Sequence, residues 1–284
     1  MELRQENPEM QLSSLLEIAD LPKSSFYEWT HKWNTSESKD AEMITAIRNI
    51  IEEAKDTYGY RRVTIALQKR GCIVNHKRVL RIMKENNLLC QTYGKKNRKY
   101  SSYKGKVGKI ADNKLKRDFK ADSMYEKWVT DVTEFKLPGI EQKLFLSPIM
   151  DLYNREIVSF SLSTSPSVKF TKKALQEAIK KLPAQHDLTI HSDQGFQYQH
   201  KAWTDCLEQN QIEQSMSRKG NCIDNSPMEN FFGLLKQEMF YGVTFQSITE
   251  LKRAIQSYIN WYNHKRIKVN LNGMSPVEYR KHAA

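Results

Sequence analysis

The chain has 284 residues, with 45 Lys and Arg against 33 Asp and Glu and a formal net charge of +12 at pH 7. At roughly 150 residues per domain this length suits about two domains, and the positive balance points to a polyanionic partner. No stretch approaches the ~18 uninterrupted apolar residues of a bilayer span, and the opening MELRQENPEM lacks the basic and apolar regions of an export leader, so the expectation is a soluble cytoplasmic protein that does not engage membrane.

Cys72, Cys90, Cys206 and Cys222 are far apart and form no Cys-x-x-Cys pair, which argues against a disulfide framework and a zinc knuckle alike. Charge is unevenly placed. Residues 51–120 carry 20 Lys and Arg against 6 acids, whereas residues 121–250 carry 13 against 17. One region looks built to hold phosphates and the other to hold a cation.

In chain order, Leu12, Leu15, Leu16 and Ile18 form a helical stripe that breaks at Leu21-Pro22-Lys23 and restarts from Ser24/Ser25. Two short helices over 11–34 suit a helix-turn-helix, and a plain helical hairpin fits nearly as well. A helical stretch at 41–57 and the turn-like Tyr58-Gly59-Tyr60 lead to a second unit. Its first helix ends at Gly71, and Asn75 caps the next, HKRVLRIMKENNLL. There Val79, Leu80, Ile82 and Met83 supply the buried face, leaving Lys77, Arg78, Arg81 and Lys84 outward with His76, as a recognition helix presents cations to DNA. The expected organisation is a first helix-turn-helix at 1–37, a second at 38–90, and an extended basic linker at 91–120 with Tyr93, Tyr100 and Tyr103 interleaved.

From Trp128 the pattern turns to strands. WVTDVTEFKL alternates, and LFLSPIMDL and EIVSFSLS form a hairpin about Tyr153-Asn154-Arg155. A helix at 168–182, a strand in DLTIHSDQG, a helix at 198–209, a strand at 212–216 and a final apolar helix follow. Three strands, helix, strand, helix, strand, helix describe a mixed α/β sheet domain of five strands, spanning 121–284 with a C-terminal helical extension.

Asp131 lies in the first strand, where an isolated aspartate is costly unless it is paired or binds a cation. Asp193 stands just past the end of the fourth strand, where open α/β sheets place their sites. Glu229 has two readings. In Ser226-Pro227-Met228-Glu229 it is the third helical residue of a capping box, a spacing repeated at Ser14/Glu17, Ser25/Glu28, Ser123/Glu126 and Ser247/Glu250. Alternatively it completes an oxygen-only cage with the two aspartates, as Mg²⁺ prefers. His191, Ser192, Asn225 and Asn230 stand beside these acids as candidate orienting groups. On the last helix Lys236 follows Glu229 by seven residues, about 10 Å along the axis, and is expected to meet a backbone phosphate.

WVTDVTEF, HSDQGFQY and NCIDNSPMENFFGLLKQE resemble the three blocks of the Asp-Asp-Glu recombinases of the retroviral integrase superfamily, in particular the OrfB transposases of bacterial insertion sequences. Thirty-five residues separate Asp193 from Glu229, the spacing of that family's signature. YGYRRVTIALQKRG with NHKRVLRIMKENNL resembles the family's helix-turn-helix, and YINWYNHKRIKVNLNGMSPVEY its C-terminal block.

The resemblance implies an RNase H-like core in which Asp131, Asp193 and Glu229 ligate two Mg²⁺ or Mn²⁺ ions. It also implies cutting and joining of terminal inverted repeats, double-stranded DNA as partner, a homo-oligomer on DNA, a place at the bacterial nucleoid, and Lys236 at the DNA end. The His-His-Cys-Cys module of retroviral integrases has no counterpart here, so zinc is not expected. An upstream-frame helix-turn-helix protein is a further expected partner or fusion.

Overall fold

The computed structural model describes residues 8–93, 110–218 and 222–283. The chain divides into two compact units, 1–90 and 91–284. Most of the basic linker, residues 94–109 with Tyr100 and Tyr103, lies outside the described residues.

The first unit is helical: α1 Leu12–Ile18, α2 Lys23–Glu53, α3 Tyr60–Lys69 and α4 His76–Glu85. The break before Pro22 is where the sequence places it, but α2 then runs 31 residues without interruption. No Gly or Pro occurs between Lys23 and Tyr58 to stop it. The expected boundary at 37/38 therefore falls inside one helix, and the expected separate helix at 41–57 is its second half.

The helix α4 begins as read: the Asn75 side chain accepts from the Lys77 backbone N–H at 2.8 Å. Ile47, Ile50, Val63, Leu67, Val79, Ile82 and Met83 are buried together in this unit, each such side chain contributing about 1.5–3 kcal/mol. Leu80, expected inside, is 37% exposed. It stands about 100° around the helix from Val79, outside the stripe that α2 and α3 cover.

The second unit is built on a mixed sheet: β1 Lys127–Thr130, β2 Thr133–Phe135, β3 Leu144–Asp151, β4 Ile157–Ser163, β5 Thr189–Ser192 and β6 Glu213–Met216. Strand β3 pairs antiparallel with β4 and with both β1 and β2, and β1, β5 and β6 run parallel. Six strands thus occupy five positions, because β1 and β2 are two halves of one line. Their registers on β3 are continuous, Thr130 opposite Ile149 and Thr133 opposite Leu146, which puts Asp131 opposite Pro148. Proline has no N–H to give a ladder, so the strand read as unbroken is interrupted at Asp131 and Val132.

Side-chain alternation divides the core into two layers. On one face Trp128, Ile149, Val158 and Ile190 pack with α5 Val168–Ile179 and, beyond the single turn α6 Phe196–Gln199, with α7 Lys201–Gln209. On the other face Val129, Leu144, Leu146 and Met150 pack with α8 Ser226–Leu235 and α9 Ile248–His264. The C-terminal helix α10, Pro276–Ala283, starts from a reciprocal cap in which Ser275 N–H donates to Glu278 at 2.7 Å and Glu278 N–H to Ser275 Oγ at 3.3 Å. Among the described residues no helix is long and apolar enough to cross a membrane.

Candidate active site

The break between β1 and β2 leaves the Asp131 carboxylate at the C-terminal end of β1, where Oδ1 accepts the Val132 backbone N–H at 2.7 Å. Parallel pairing places β5 beside β1, Val129 opposite His191, so Asp193 emerges at the same end of the sheet. Its Oδ1 accepts the Gly195 N–H at 2.9 Å. A Cβ on Gly195 would lie 2.9 Å from that Oδ1 and 2.9 Å from Gln197 Oε1, so a side chain here would push these two oxygens aside, although the φ of −59° suits any residue.

Helix α8 brings the third acid. Residues 222–225 form a 3₁₀ turn, and the helix begins at Ser226 with Asn225 as its cap residue. Neither Ser226 nor Glu229 forms the expected capping box: the start of α8 carries no side-chain cap bond. The same spacing at Ser247/Glu250 does form one, with Ser247 Oγ accepting the Glu250 N–H at 3.1 Å and Glu250 accepting the Gln246 N–H at 2.7 Å. The difference lies in register: Ser247 is itself the cap residue of its helix, whereas Asn225 takes that position here, so that Ser226 and Glu229 are the first and fourth helical residues. The Asn225 side chain donates instead to the Thr130 carbonyl at 3.1 Å.

The three acids share one electrostatic environment. Burial first, then the charge of Asp193 and that of Glu229, push the Asp131 carboxyl well above its usual range, against the Val132 N–H and the nearby Lys236. Burial raises Asp193, offset by the Gly195 N–H, and burial raises Glu229. Among the described residues no three His, Cys, Asp or Glu side chains close into a metal cage. A hydrated Mg²⁺, however, needs only one or two carboxylates and substrate phosphate, and mutually repelling, half-buried oxygen donors are the arrangement that such a cation relieves. The donor set fits.

Beneath the acids lies a residue the sequence reading did not single out. Tyr198 is 1% exposed, its hydroxyl 3.4 Å from Thr130 Oγ1, and burial followed by the charges of Asp131 and Asp193 raises its phenol well above the usual value. Its place in HSDQGFQY, five residues past Asp193, was the available signal.

Other candidates take different places. His191 is fully buried between Ser215 Oγ at 2.8 Å and Ser217 Oγ at 3.1 Å. Burial holds its imidazole down to about 4, so it is a neutral packing residue bound to the β6 side. Ser192 Oγ donates to the Asp193 carbonyl at 2.9 Å, and Asn230 is exposed.

Lys236 opens the π-helical turn after α8, with Nζ 2.7 Å from Thr133 Oγ1 and 5.2 Å from the Phe135 ring centre. Asp224 is buried on two arginines, Arg117 and Arg218. In the C-terminal block, Tyr262 and Arg266 are each 1% exposed, Tyr262 donating to the Arg155 carbonyl and Arg266 paired with Glu238.

In the first unit Lys77 and Lys84 are exposed on α4. Arg78 and Arg81 both bond Asp40 of α2, at 2.7 and 2.9 Å, and Arg81 also bonds Glu85 at 2.8 Å.

The integrase core domain family matches residues 121–222 and again 229–283, and an HTH-like domain matches 37–96. An Escherichia coli (strain K12) protein named as transposase InsK for insertion sequence element IS150 is 46% identical over 98% of this chain and 95% of its own length.

The chain belongs to the insertion-sequence transposases with an integrase core.

A transposase-like protein of Haemophilus influenzae is 49% identical over 73% of this transposase and 93% of its own length. A Lactococcus lactis transposase for insertion sequence element IS904 is 32% identical over 89% and 99%. Among solved structures, the HTLV-2 integrase catalytic core domain in complex with magnesium aligns at 19% identity with a TM-score of 0.43, over 55% of this chain and 96% of that one. The integrase core match and the transposase relatives make the chain an enzyme of the polynucleotidyl-transferase type, with an HTH-like domain ahead of its core.

Proposed function

We propose that this transposase binds the terminal inverted repeats of its insertion sequence, cleaves the 3′ ends and joins them to target DNA, with Asp131, Asp193 and Glu229 as catalytic metal ligands. The observation that carries the proposal is geometric: the parallel pairing of β1 with β5, Val129 opposite His191, puts Asp131 and Asp193 at one end of the sheet, and Glu229 on α8 stands near enough for its charge to act on Asp131.

These carboxylates would hold two Mg²⁺ or Mn²⁺ ions, which when bound activate the attacking oxygen and stabilise the leaving one at a phosphodiester. Oxygen-only donors favour these hard cations over zinc. The protein's own part is placement. The Val132 and Gly195 N–H groups fix one oxygen each on Asp131 and Asp193, and the Asn225 bond to the Thr130 carbonyl fixes the start of the helix that carries Glu229. Lys236, whose charge favours ionised Asp131, lies beside the acids and serves the DNA end by exchanging Thr133 Oγ1 for a phosphate oxygen.

Lys77, Arg78, Arg81 and Lys84 on α4 serve double-stranded DNA outside the core, the two arginines exchanging Asp40 for phosphate or base edges. Holding both element ends calls for a homo-oligomer on DNA, and the upstream-frame helix-turn-helix product is a further partner or fusion. The work is done in the cytoplasm at the nucleoid.

The decisive experiment incubates the protein and its Glu229→Gln variant with the element's own end DNA and Mg²⁺ or Mn²⁺, using intact and pre-cut ends. Cleavage and strand transfer by the wild type, with both lost in a folded and DNA-binding variant, is the expected result. An active variant removes Glu229 from the site. Hydrolysis without joining makes the chain a nuclease, and DNA binding without cutting makes its core structural.

A further inference from the structure

Asp224 stands five residues before Glu229 and is not one of the three ligand positions, yet it is the most heavily bonded acid at this end of the sheet. Its side chain is 0% exposed. Arg218 grips it side-on, Nε to Oδ2 at 2.9 Å and Nη2 to Oδ1 at 3.0 Å, and Arg117 Nε donates to Oδ1 at 2.8 Å. Asn113 Nδ2 and the Arg218 backbone N–H donate to Oδ2 at 3.0 and 3.1 Å. These bonds, Arg218 foremost, hold its carboxyl far below the usual range.

One carboxylate therefore anchors two guanidinium groups. The arginine side chains are 43% and 59% exposed, and Asp224 takes only two of the five N–H donors of Arg218.

Their position gives this cluster its meaning. Ser217, next to Arg218, donates its N–H to the Ser192 carbonyl at 2.8 Å and accepts from Gln194 Nε2 at 3.0 Å. Arg218 is thus tied to the residues on either side of Asp193. The segment bearing Arg117 crosses the end of β6, Lys114 N–H donating to Ser215 Oγ at 2.9 Å. Asn225, adjacent to Asp224, is bonded to the residue before Asp131.

We infer that Arg117 and Arg218 form a phosphate-binding rim beside the carboxylate site, oriented by buried Asp224, which grips a backbone phosphate of the DNA being cut or joined. The inference rests on the function proposed above. Arginine suits the role because its planar fork can hold a carboxylate with one edge and present the remaining donors to a phosphate. Asp224 is a positioning residue: it keeps two like-charged groups side by side, which otherwise repel.

The test measures binding of the full-length protein to the element's end duplex and to an unrelated duplex over a salt series, for Arg117→Gln, Arg218→Gln and Arg218→Lys. Removing one phosphate contact lowers the slope of log K against log salt by about 0.9. Each glutamine variant is expected to show that loss, and Arg218→Lys to recover most of it. Loss on the end duplex alone assigns the rim to the transposon end, and loss on both duplexes to phosphates of either DNA. Unchanged slopes on both overturn the inference. Asp224→Asn, checked for folding by its melting temperature, is expected to keep its affinity and lose about tenfold in cleavage rate at saturating DNA, because preorganisation is lost. Wild-type cleavage in that variant removes the positioning role. The salt slope does not depend on cleavage, so failure of the rim and failure of the transposition reading give separate results.

Discussion

Asn225 donates its side-chain N–H to the carbonyl of Thr130 across 3.1 Å, joining the residue four before Glu229 to the residue just before Asp131. This hydrogen bond ties the start of α8 to the broken strand, alongside the packing of Met228, Phe231 and Leu235 against the sheet.

Asn225→Ala would leave the buried Thr130 carbonyl without that donor, at a cost of about 1–3 kcal/mol. The lower end is expected, because Asn225 Oδ1 is itself buried without a partner among the described residues. Chemical denaturation reads the stability, and cleavage at saturating DNA is expected to fall further than DNA affinity. Equal losses in both would make Asn225 a packing residue only.

Asp131→Asn tests the cation. With its carboxyl raised by burial and like charge, ionisation of Asp131 opposes folding, so the metal-free wild type loses stability as pH rises through and above the usual carboxylate range. The amide removes that cost, and the variant is expected to melt higher than wild type without metal. Added Mg²⁺ stabilises wild type by about 2.7 kcal/mol at a hundredfold excess over Kd, and the variant by much less. Scanning fluorimetry with and without Mg²⁺ decides it, and equal stabilisation of both proteins would place the cation elsewhere.

Gly195→Ala asks whether the Asp193 oxygen must stay where it is. The added methyl would meet two side-chain oxygens at 2.9 Å. Displacing them is expected to cost about 1–3 kcal/mol and to lower cleavage at least tenfold. Wild-type cleavage would show that the Asp193 loop adapts freely.

Away from the acids, Glu238 and Arg266 form an ion pair with side chains 0% and 2% exposed. Burial would raise Glu238, but the hydrogen bond and charge of Arg266 outweigh it and hold the carboxyl below its usual range. Its contribution to stability is therefore present above the unfolded value near about 4.3 and is lost as pH falls through the folded one. Glu238→Gln leaves Arg266 buried without its counter-charge and is expected to cost about 3–5 kcal/mol at neutral pH, with a flatter acid limb in the stability profile. A loss under 1 kcal/mol, on the order of an exposed pair, would contradict this account.

The sequence by itself determined the parts whose causes are local or periodic. Asn75 caps its helix because an Asn side chain can reach an N–H two residues on, and the alternation from Trp128 sorts the two faces of the sheet because strand side chains repeat every second residue. The acids at 131, 193 and 229 were singled out by type and spacing, and their role as ligands is the proposal made above. What the fold decided were the outcomes of competition between distant groups. Ser226 and Glu229 carry the same sequence pattern as Ser247 and Glu250, yet the helix starts one residue earlier with Asn225 as its cap residue, and Asn225 is bonded to the Thr130 carbonyl 95 residues away. Arg78 and Arg81 read as free cations until Asp40, 38 and 41 residues away, is seen between them. Asp224 reads as a bystander until Arg117, 107 residues earlier, arrives beside it. A side chain's partner is chosen by proximity in space, and for groups that chain topology brings together from far apart, spacing along the sequence carries no record of that choice.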